Sequence, residues 1–565
     1  MNQKNHKPWA VLGITLLIGL FLYGLQQFFP FRIDLTEENR YSIHSSTKDV
    51  LSQLEGPLYA DILLTGELPG GMRRFQKNIK ETLNTFNAYS NYPIHISFYD
   101  PLAIEEEKVQ KEFIYYLADW GINPTNLMAS ENGGQSSRLI FPGVLISDGE
   151  KEVGALLLKG EKGMGPTAIL NLSIENLEYE LINLIQKLTQ KKKKAVAMIT
   201  NHGELQGDEG YGIVEALSGN YDVYKVPLQQ AKKVEDLMSF DVIIIAGPKA
   251  TFSQREVFLL DQYLMRGGKL LFSLDQLAVD INEAGEEGTV ALPFDSGLDR
   301  LLFRYGIRIN NDFVQDMNFG YYPVVAGDFG NQPQVKPMPW PFYVVANHMG
   351  DHVITKGLDQ IKFEFVSSLD TVKADGVKKT PLVFSGSYSR VLSSPVQVAF
   401  QDMAEGPDID LFNQNNLPLV YLLEGDFTSL FKNRFKPKEF EGTQAFENSQ
   451  GKGAVLVIGD GDWIQSERDR STGEPLPLGK DLFSKSTYAN KNFLQNAVKY
   501  LVDPEGIMVT RGKELKIRPL DQQKIERQKS TWQLINIFVP IALVWAVGVF
   551  KVYGRRLKYS KKMRD

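Results

Sequence analysis

The chain contains no cysteine in 565 residues. That excludes disulfides, a lipid anchor on an N-terminal cysteine, and thiol catalysis. A phosphate-gripping Walker loop is also missing. The nearest stretch, Gly160-Glu-Lys-Gly-Met-Gly165, runs into Pro166 and Thr167, so proline stands where the lysine is needed. An ATPase is not expected, and a glycine-rich dinucleotide fingerprint is absent too. The net charge of −6 is mild, and no basic, aromatic-rich face points to nucleic acid. The Lys191–Lys194 run reads as a solvated lead-in to a strand. No cofactor or metal is implied.

Charge is missing in two further places. No charged residue occurs from Pro8 to Phe31 or from Ser530 to Phe550. Each run is long enough for a membrane-spanning helix, which needs ~20 apolar residues. Lys4 and Lys7 precede the first, and Lys551, Arg555, Arg556, Lys558, Lys561, Lys562 and Arg564 follow the second. Positive flanks stay cytoplasmic. The expected topology is a double pass, with both termini cytoplasmic and the bulk outside. Trp9 and Trp532 lie where interfacial anchors sit, Arg555 and Arg556 hold the cytoplasmic end, and Pro540 is expected to kink the second helix. A cleaved signal peptide does not suit the first run, because Gln26-Gln27-Phe28-Phe29-Pro30-Phe31 is a poor cleavage site.

The expected organisation is α/β: two transmembrane helices flanking a redox-dead thioredoxin-like domain and a doubly wound parallel-sheet domain. The segments are 1–8 cytoplasmic, 9–29 the first span, 31–190 the thioredoxin-like domain and 195–505 the doubly wound domain, with insertions at about 277–380. A juxtamembrane return at 506–530, a second span at 531–553 and a basic tail at 554–565 complete it. In the first domain, Leu58–Thr65 and Ile94–Phe98 read as strands. Met72–Tyr89 repeats Phe75, Ile79, Leu83 and Phe86 at helical spacing. Glu105–Trp120 places Val109, Phe113, Tyr116, Leu117 and Trp120 on one helix face. Leu139–Ser147 and Lys151–Lys159 form a hairpin through Asp148-Gly149, and Ile174–Leu188 is a helix capped by Ser173. This β-α-β-α-β-β-α order resembles a thioredoxin-like fold, with Pro142 where that fold places a cis-proline. Gly66-Glu67-Leu68-Pro69-Gly70 replaces the redox pair.

In the second domain, Ala195–Thr200, Tyr221–Val226, Asp241–Ala246 and Lys269–Ser273 are strands, alternating with helices around Gly212–Leu217 and from Ser253 to Arg266. Asp241–Ala246 is a very apolar, β-branched run of the kind found in buried parallel strands. The prolines at 333, 337, 339 and 341 mark an irregular middle. Ala454–Gly459 is a late strand, and Asn490–Val502 a closing helix.

Open parallel sheets hold ligands at the carboxyl ends of their strands. His202 and Glu204, with Asp208 and Glu209 nearby, follow one strand; Asp460 and Asp462 follow another. These are the candidate ligand-binding residues, and no catalytic residue is assigned. The plainer readings are a solvated loop for the first pair and carboxylate-to-backbone turn bonds for the second. Ile245-Ala-Gly-Pro-Lys-Ala250 reads as a strand-to-helix turn, and the domain as glutaminase-like but non-catalytic. His348 and His352 have the i, i+4 spacing of a metal pair but lack a metalloprotease glutamate and enclose Gly350; they read as a loop.

Several stretches resemble one family. Phe31-Arg-Ile-Asp-Leu-Thr-Glu-Glu-Asn-Arg-Tyr-Ser-Ile43, Ile199-Thr-Asn-His-Gly-Glu204, Val457-Ile-Gly-Asp-Gly-Asp-Trp463 and Asn490-Lys-Asn-Phe-Leu-Gln-Asn-Ala-Val-Lys-Tyr-Leu501 are similar to the GldG family of gliding-motility ABC-transporter auxiliary components. The resemblance implies a bacterial inner membrane with the bulk of the chain in the periplasm, and a permease subunit, a cytoplasmic ATPase and a periplasmic ligand or protein as partners. It supplies no catalytic residues. Phe31–Tyr41 and Lys513–Gln528 would then couple the outer body to the membrane partners. The alternatives are a membrane-anchored envelope hydrolase and a structural scaffold of the motility machinery.

Overall fold

A computed structural model describes residues 17, 19, 42–512 and 522–560, less 132–133, 161–163, 282–287, 330–331, 401–402, 404–405, 443, 470–471 and 482–485. The first apolar run, including Trp9, lies outside the described residues except for Leu17 and Gly19. So do Phe31–Tyr41 and 513–521.

Residues 1–513 form one compact unit and 514–565 another. In the first, β1 (Leu58–Ile62) and β2 (Ile94–Phe98) pair in parallel. β3 (Gly143–Ser147) and β4 (Glu152–Leu156) add antiparallel strands in the order β2-β1-β3-β4. The turn between β3 and β4 is held by Asp148, whose carboxylate accepts from the N–H groups of Glu150 and Lys151. Helix α1 (Ser45–Ser52) precedes β1. Helix α2 (Gly70–Tyr89) buries the expected stripe of Phe75, Ile79, Leu83 and Phe86.

Helix α3 (Glu107–Asp119) departs from its expected face. Only Leu117 is buried, against Leu63, Ile122, Phe141 and Leu145, while Val109 and Tyr116 stay exposed. A second hairpin, Thr125–Glu131 with Gly134–Ile140, takes Leu139 and Ile140 away from β3. The Pro142 peptide is not cis; among the described residues the cis bond is Ser394–Pro395. Helix α4 (Pro166–Thr189) starts at its proline rather than after Ser173. Ser173 is buried inside it and donates to the carbonyls of Ile169 and Lys159.

The second sheet has eight strands. Five of them are parallel: β5 (Lys194–Thr200), β6 (Tyr221–Pro227), β7 (Val242–Ala246), β8 (Lys269–Ser273) and β12 (Gly453–Ile458). β9 (His348–Met349), β10 (Val377–Phe384) and β11 (Pro418–Gly425) extend it antiparallel, giving the order β9-β10-β11-β12-β8-β7-β5-β6.

Both faces of this sheet's centre are covered, which is why β7 is apolar and buried at every position. Val196, Met198, Ile244, Leu271 and Leu456 pack on one face, with α5 (Tyr211–Ser218) and α8 (Asn490–Val502). Ala197, Ile199, Ile243, Ile245, Phe272 and Val457 pack on the other, with α6 (Gln254–Met265) and α7 (Asp299–Tyr305). Leu181, Ile182 and Ile185 of α4 join the first cluster, so both sheets share one core.

Between β8 and β12 the chain builds further strands. The proline-rich segment Gln332–Ala346 is one of them, paired antiparallel with Phe319–Phe329. The i, i+2 spacing of Pro337, Pro339 and Pro341 keeps their missing N–H groups on one side of the strand.

In the second unit, helix α9 (Gln522–Ser560) runs on through Pro540. Its span Arg527–Gly554 is long and apolar enough to cross a membrane, with a mean hydropathy of 2.1, and its most apolar stretch is wholly exposed. Trp532 is exposed near its start; Arg555 and Arg556 lie in its last turns. This is the one such helix among the described residues.

Candidate functional site

β5, β7, β8 and β12 run in the same direction, so the loops leaving them meet at one edge of the sheet. The strand order changes direction at β5, which has β6 on one side and β7 on the other. A ligand crevice in such a sheet falls at this point.

The loop after β5 turns through Asn201 and Gly203, both at positive φ. It folds Glu204 back so that its carboxylate accepts from the backbone N–H of His202 at 2.6 Å. The His202 ring then has a carboxylate at each nitrogen: Nδ1 lies 3.1 Å from Glu204 Oε1, and Nε2 lies 3.2 Å from Glu256 Oε1. Glu256 is placed by a capping box at the start of α6, where its other oxygen accepts from the N–H and hydroxyl of Ser253 at 2.8 and 2.6 Å. Burial pushes the Glu256 carboxyl up, but bonds to Ser253 and His202 outweigh it and hold the group below its usual range.

His202 and Glu204 are 3% and 4% exposed. The backbone closes over them. Lys249 N donates to the His202 carbonyl at 2.6 Å, and Leu205 N to that of Ala246 at 3.0 Å. The switch-point loops therefore fill the crevice with their own atoms.

The loop after β12 builds a second group. Asp460 is fully buried. Its Oδ1 accepts from the N–H groups of Asp462 and Trp463 at 2.7 and 2.9 Å, and its Oδ2 from Glu364 N at 2.6 Å. Those are the carboxylate-to-backbone bonds of a tight turn. Ser273, the last residue of β8, donates to the Asp460 carbonyl and accepts from the Trp463 indole. Asn490, the first residue of α8, donates to the Trp463 carbonyl at 2.7 Å. The helix is thereby docked on the same turn.

Asp275, two residues after β8, accepts from Gly461 N at 2.7 Å. The three aspartates crowd one another. Burial and then the neighbouring carboxylates push Asp460 far up and Asp462 to about 8. Burial pushes Asp275 to about 6, against the Gly461 N–H and the Lys249 charge. Below neutral pH the cluster holds protons and is correspondingly less charged.

Two glycines join the groups. A Cβ on Gly461 would lie 2.3 Å from Asp275 Oδ2 and 2.8 Å from Gly247 Cα. The residues expected from sequence thus come to one edge, linked through Gly247 and Lys249. Sequence reading missed Lys249, Phe252, Glu256 and Asp275. Of these, Glu256 carried a signal in the Ser253-Gln-Arg-Glu256 capping pattern.

Among the described residues no group of three His, Asp or Glu side chains is arranged to hold a metal. His348 bonds Asn416, and His352 lies edge-on to Tyr500, so the two histidines have different partners.

The chain belongs to the family described as an ABC-type uncharacterized transport system, whose model matches residues 193–497. Residues 37–147 match a domain of unknown function, DUF7088. An uncharacterized protein of Borreliella burgdorferi is 22% identical over 451 residues, covering 77% of this chain and 80% of its own. Among solved structures, the N-terminal domain of mmIFT52 is similar at 15% identity and a TM-score of 0.30, covering 55% of this chain and 98% of its own. A putative ThuA-like protein from Bacteroides uniformis is similar at 12% identity and a TM-score of 0.27, covering 56% and 95%. Family membership associates the chain with ABC transport systems as an auxiliary component.

Proposed function

We propose that the chain is a non-catalytic, periplasm-facing auxiliary subunit of an ABC-type complex linked to gliding motility, working beside a permease and a cytoplasmic ATPase. The observation that carries this reading is the family match over 193–497 on a chain that also holds the span Arg527–Gly554. The GldG-like stretches after the first apolar run and at Asn490–Leu501 support the motility link. The strand order β2-β1-β3-β4 supports a thioredoxin-like reading of the first domain, used as a scaffold. ATPase-driven movement of the permease would pass to the outer body through the juxtamembrane segments.

The test is affinity purification of the full chain from solubilised membranes. An ATPase and a permease should come with it in fixed ratio; a chain that always purifies alone overturns the reading. Reporter fusions near residue 300 should report the periplasm. A hydrolase reading on His202, Glu204, Asp460 and Asp462 would need substrate to reach the first three, which are at most 4% exposed, whereas Asp462 is partly exposed.

A further inference from the structure

A cavity lies beside α7. It encloses about 500 Å³ and is lined by residues of α7 and the strand after it, with Gln276 from the loop after β8 and Arg434 from a distant loop. That volume suits a small ligand. Leu302 and Ile309, 1% and 6% exposed, give it an apolar floor. Gln276 is also buried, and its amide donates to Asn311 Oδ1 at 3.0 Å. Arg300, Arg308 and Arg434 converge on this space. Arg308 forms an exposed pair with Asp370 at 2.8 Å. Arg300 and Arg434 have no ion-pair partner among the described residues. Phe303 is half-exposed at the cavity, and Phe435, beside Arg434, is fully exposed.

We propose that this cavity binds a multiply charged oxyanion ligand, with carboxylate or phosphate groups presented by a small molecule or an acidic chain end. A guanidinium offers a planar fork that matches both groups in bidentate fashion, and arginine exceeds lysine in this role. Guanidiniums gathered around one cavity with unspent N–H donors repel one another until an anion arrives. Phe303 provides an apolar surface for the body that carries the charge. Asp299 opposes an anion at the same cavity. Burial pushes its carboxyl up, while the Gln276 amide pulls it down. The site goes beyond the proposed auxiliary role and rests on it only for its biological setting, since binding to the purified chain is measurable without any transporter partner.

The experiment is calorimetric titration of the detergent-solubilised full chain with inorganic pyrophosphate, citrate or a tetraglutamate peptide. Tetraserine serves as the neutral control. At least one anion should bind and the control should not. The double change Arg300→Gln with Arg434→Gln should weaken binding about tenfold or more, a loss of about 1.4 kcal/mol or more. Both arginines are exposed, so the variant should keep its fold, checked by its melting transition. Lys191→Gln with Lys192→Gln, elsewhere on the surface, should bind as the parent does. A preference for citrate or pyrophosphate points to a small molecule; one for tetraglutamate points to a chain end. Absence of binding by all three at millimolar concentration, or affinity unchanged in the arginine variant, overturns the proposal. Co-purification with an ATPase and permease reports on the wider role separately.

Discussion

The imidazole of His202 and the phenyl ring of Phe252 lie face to face, with centroids 3.8 Å apart and planes 14° from parallel. Each comes from the loop after one of two neighbouring parallel strands. Together they occupy the place where an open sheet would admit a ligand. Phe252 is 3% exposed. Phe252→Ala should therefore destabilise the fold by about 3–5 kcal/mol. Thermal unfolding of the variant checks this, and an unshifted melting point would show that the stack contributes little.

The aspartates at the sheet edge predict an unusual pH dependence. Their folded pKa values lie above the unfolded value of 3.8, Asp462 at about 8 and Asp275 at about 6. Between these limits the folded chain binds more protons than the unfolded one. Stability from this source is complete below the unfolded value and is lost as pH rises toward 8. Lys499 acts in the next window. Burial lowers it from 10.5 to about 7, so its contribution grows as pH rises from 7. Melting temperature should fall from pH 5 to pH 7, where Lys499 does not yet act, and Asp462→Asn should flatten that fall. Lys499→Met should remove gain above pH 7. A parent melting point that rises steadily from pH 5 to pH 8 contradicts the assignment.

Gly461 should tolerate no side chain. The methyl of Gly461→Ala would meet the Asp275 carboxylate, held by its bond to Gly461 N, and the Gly247 backbone, which cannot yield. A loss of roughly 1–3 kcal/mol is expected. Gly219→Ala, with open space around its Cβ and a helical φ of −59°, should be neutral or slightly stabilising. Equal behaviour of the two variants in urea unfolding would refute the close-approach argument.

Double anchoring is tested by deletion. Removing residues 1–30 or residues 522–565 alone should leave the chain in the membrane fraction after carbonate washing, and removing both should release it. Release by the C-terminal deletion alone would show that the first apolar run does not anchor.

Much of the fold was readable from residue pattern. The apolar runs at Asp241–Ala246 and Lys269–Ser273 fall on buried parallel strands because both faces of that sheet are covered. The Phe75–Phe86 stripe faces a core, as its spacing requires. Other expectations failed for local reasons. Val109 and Tyr116 have helical spacing, yet α3 packs mainly through Leu117, so periodicity exaggerated its buried face. Ser173 has the chemistry of a cap but spends its hydroxyl inside a helix begun by Pro166. Prolines suggested irregularity at 333–341, whereas alternate spacing fits them to a strand. At the sheet edge, His202, Glu204, Asp460 and Asp462 were visible because they follow strands. Asp275 and Lys249 were not, since contacts across distant loops leave no trace in local pattern.

β12 has a consequence for how the chain is made. It lies between β8 and β11, yet it emerges some way after both in sequence. Until residue 453 is available, the edge of β8 has no neighbour, and its row of unpaired amides and carbonyls is open to strangers. Closure must wait for nearly the whole outer body, which makes assembly slow and leaves a sticky seam exposed meanwhile. A molecule that occupies the seam early would trap the nascent chain, so its synthesis calls for a protected interval.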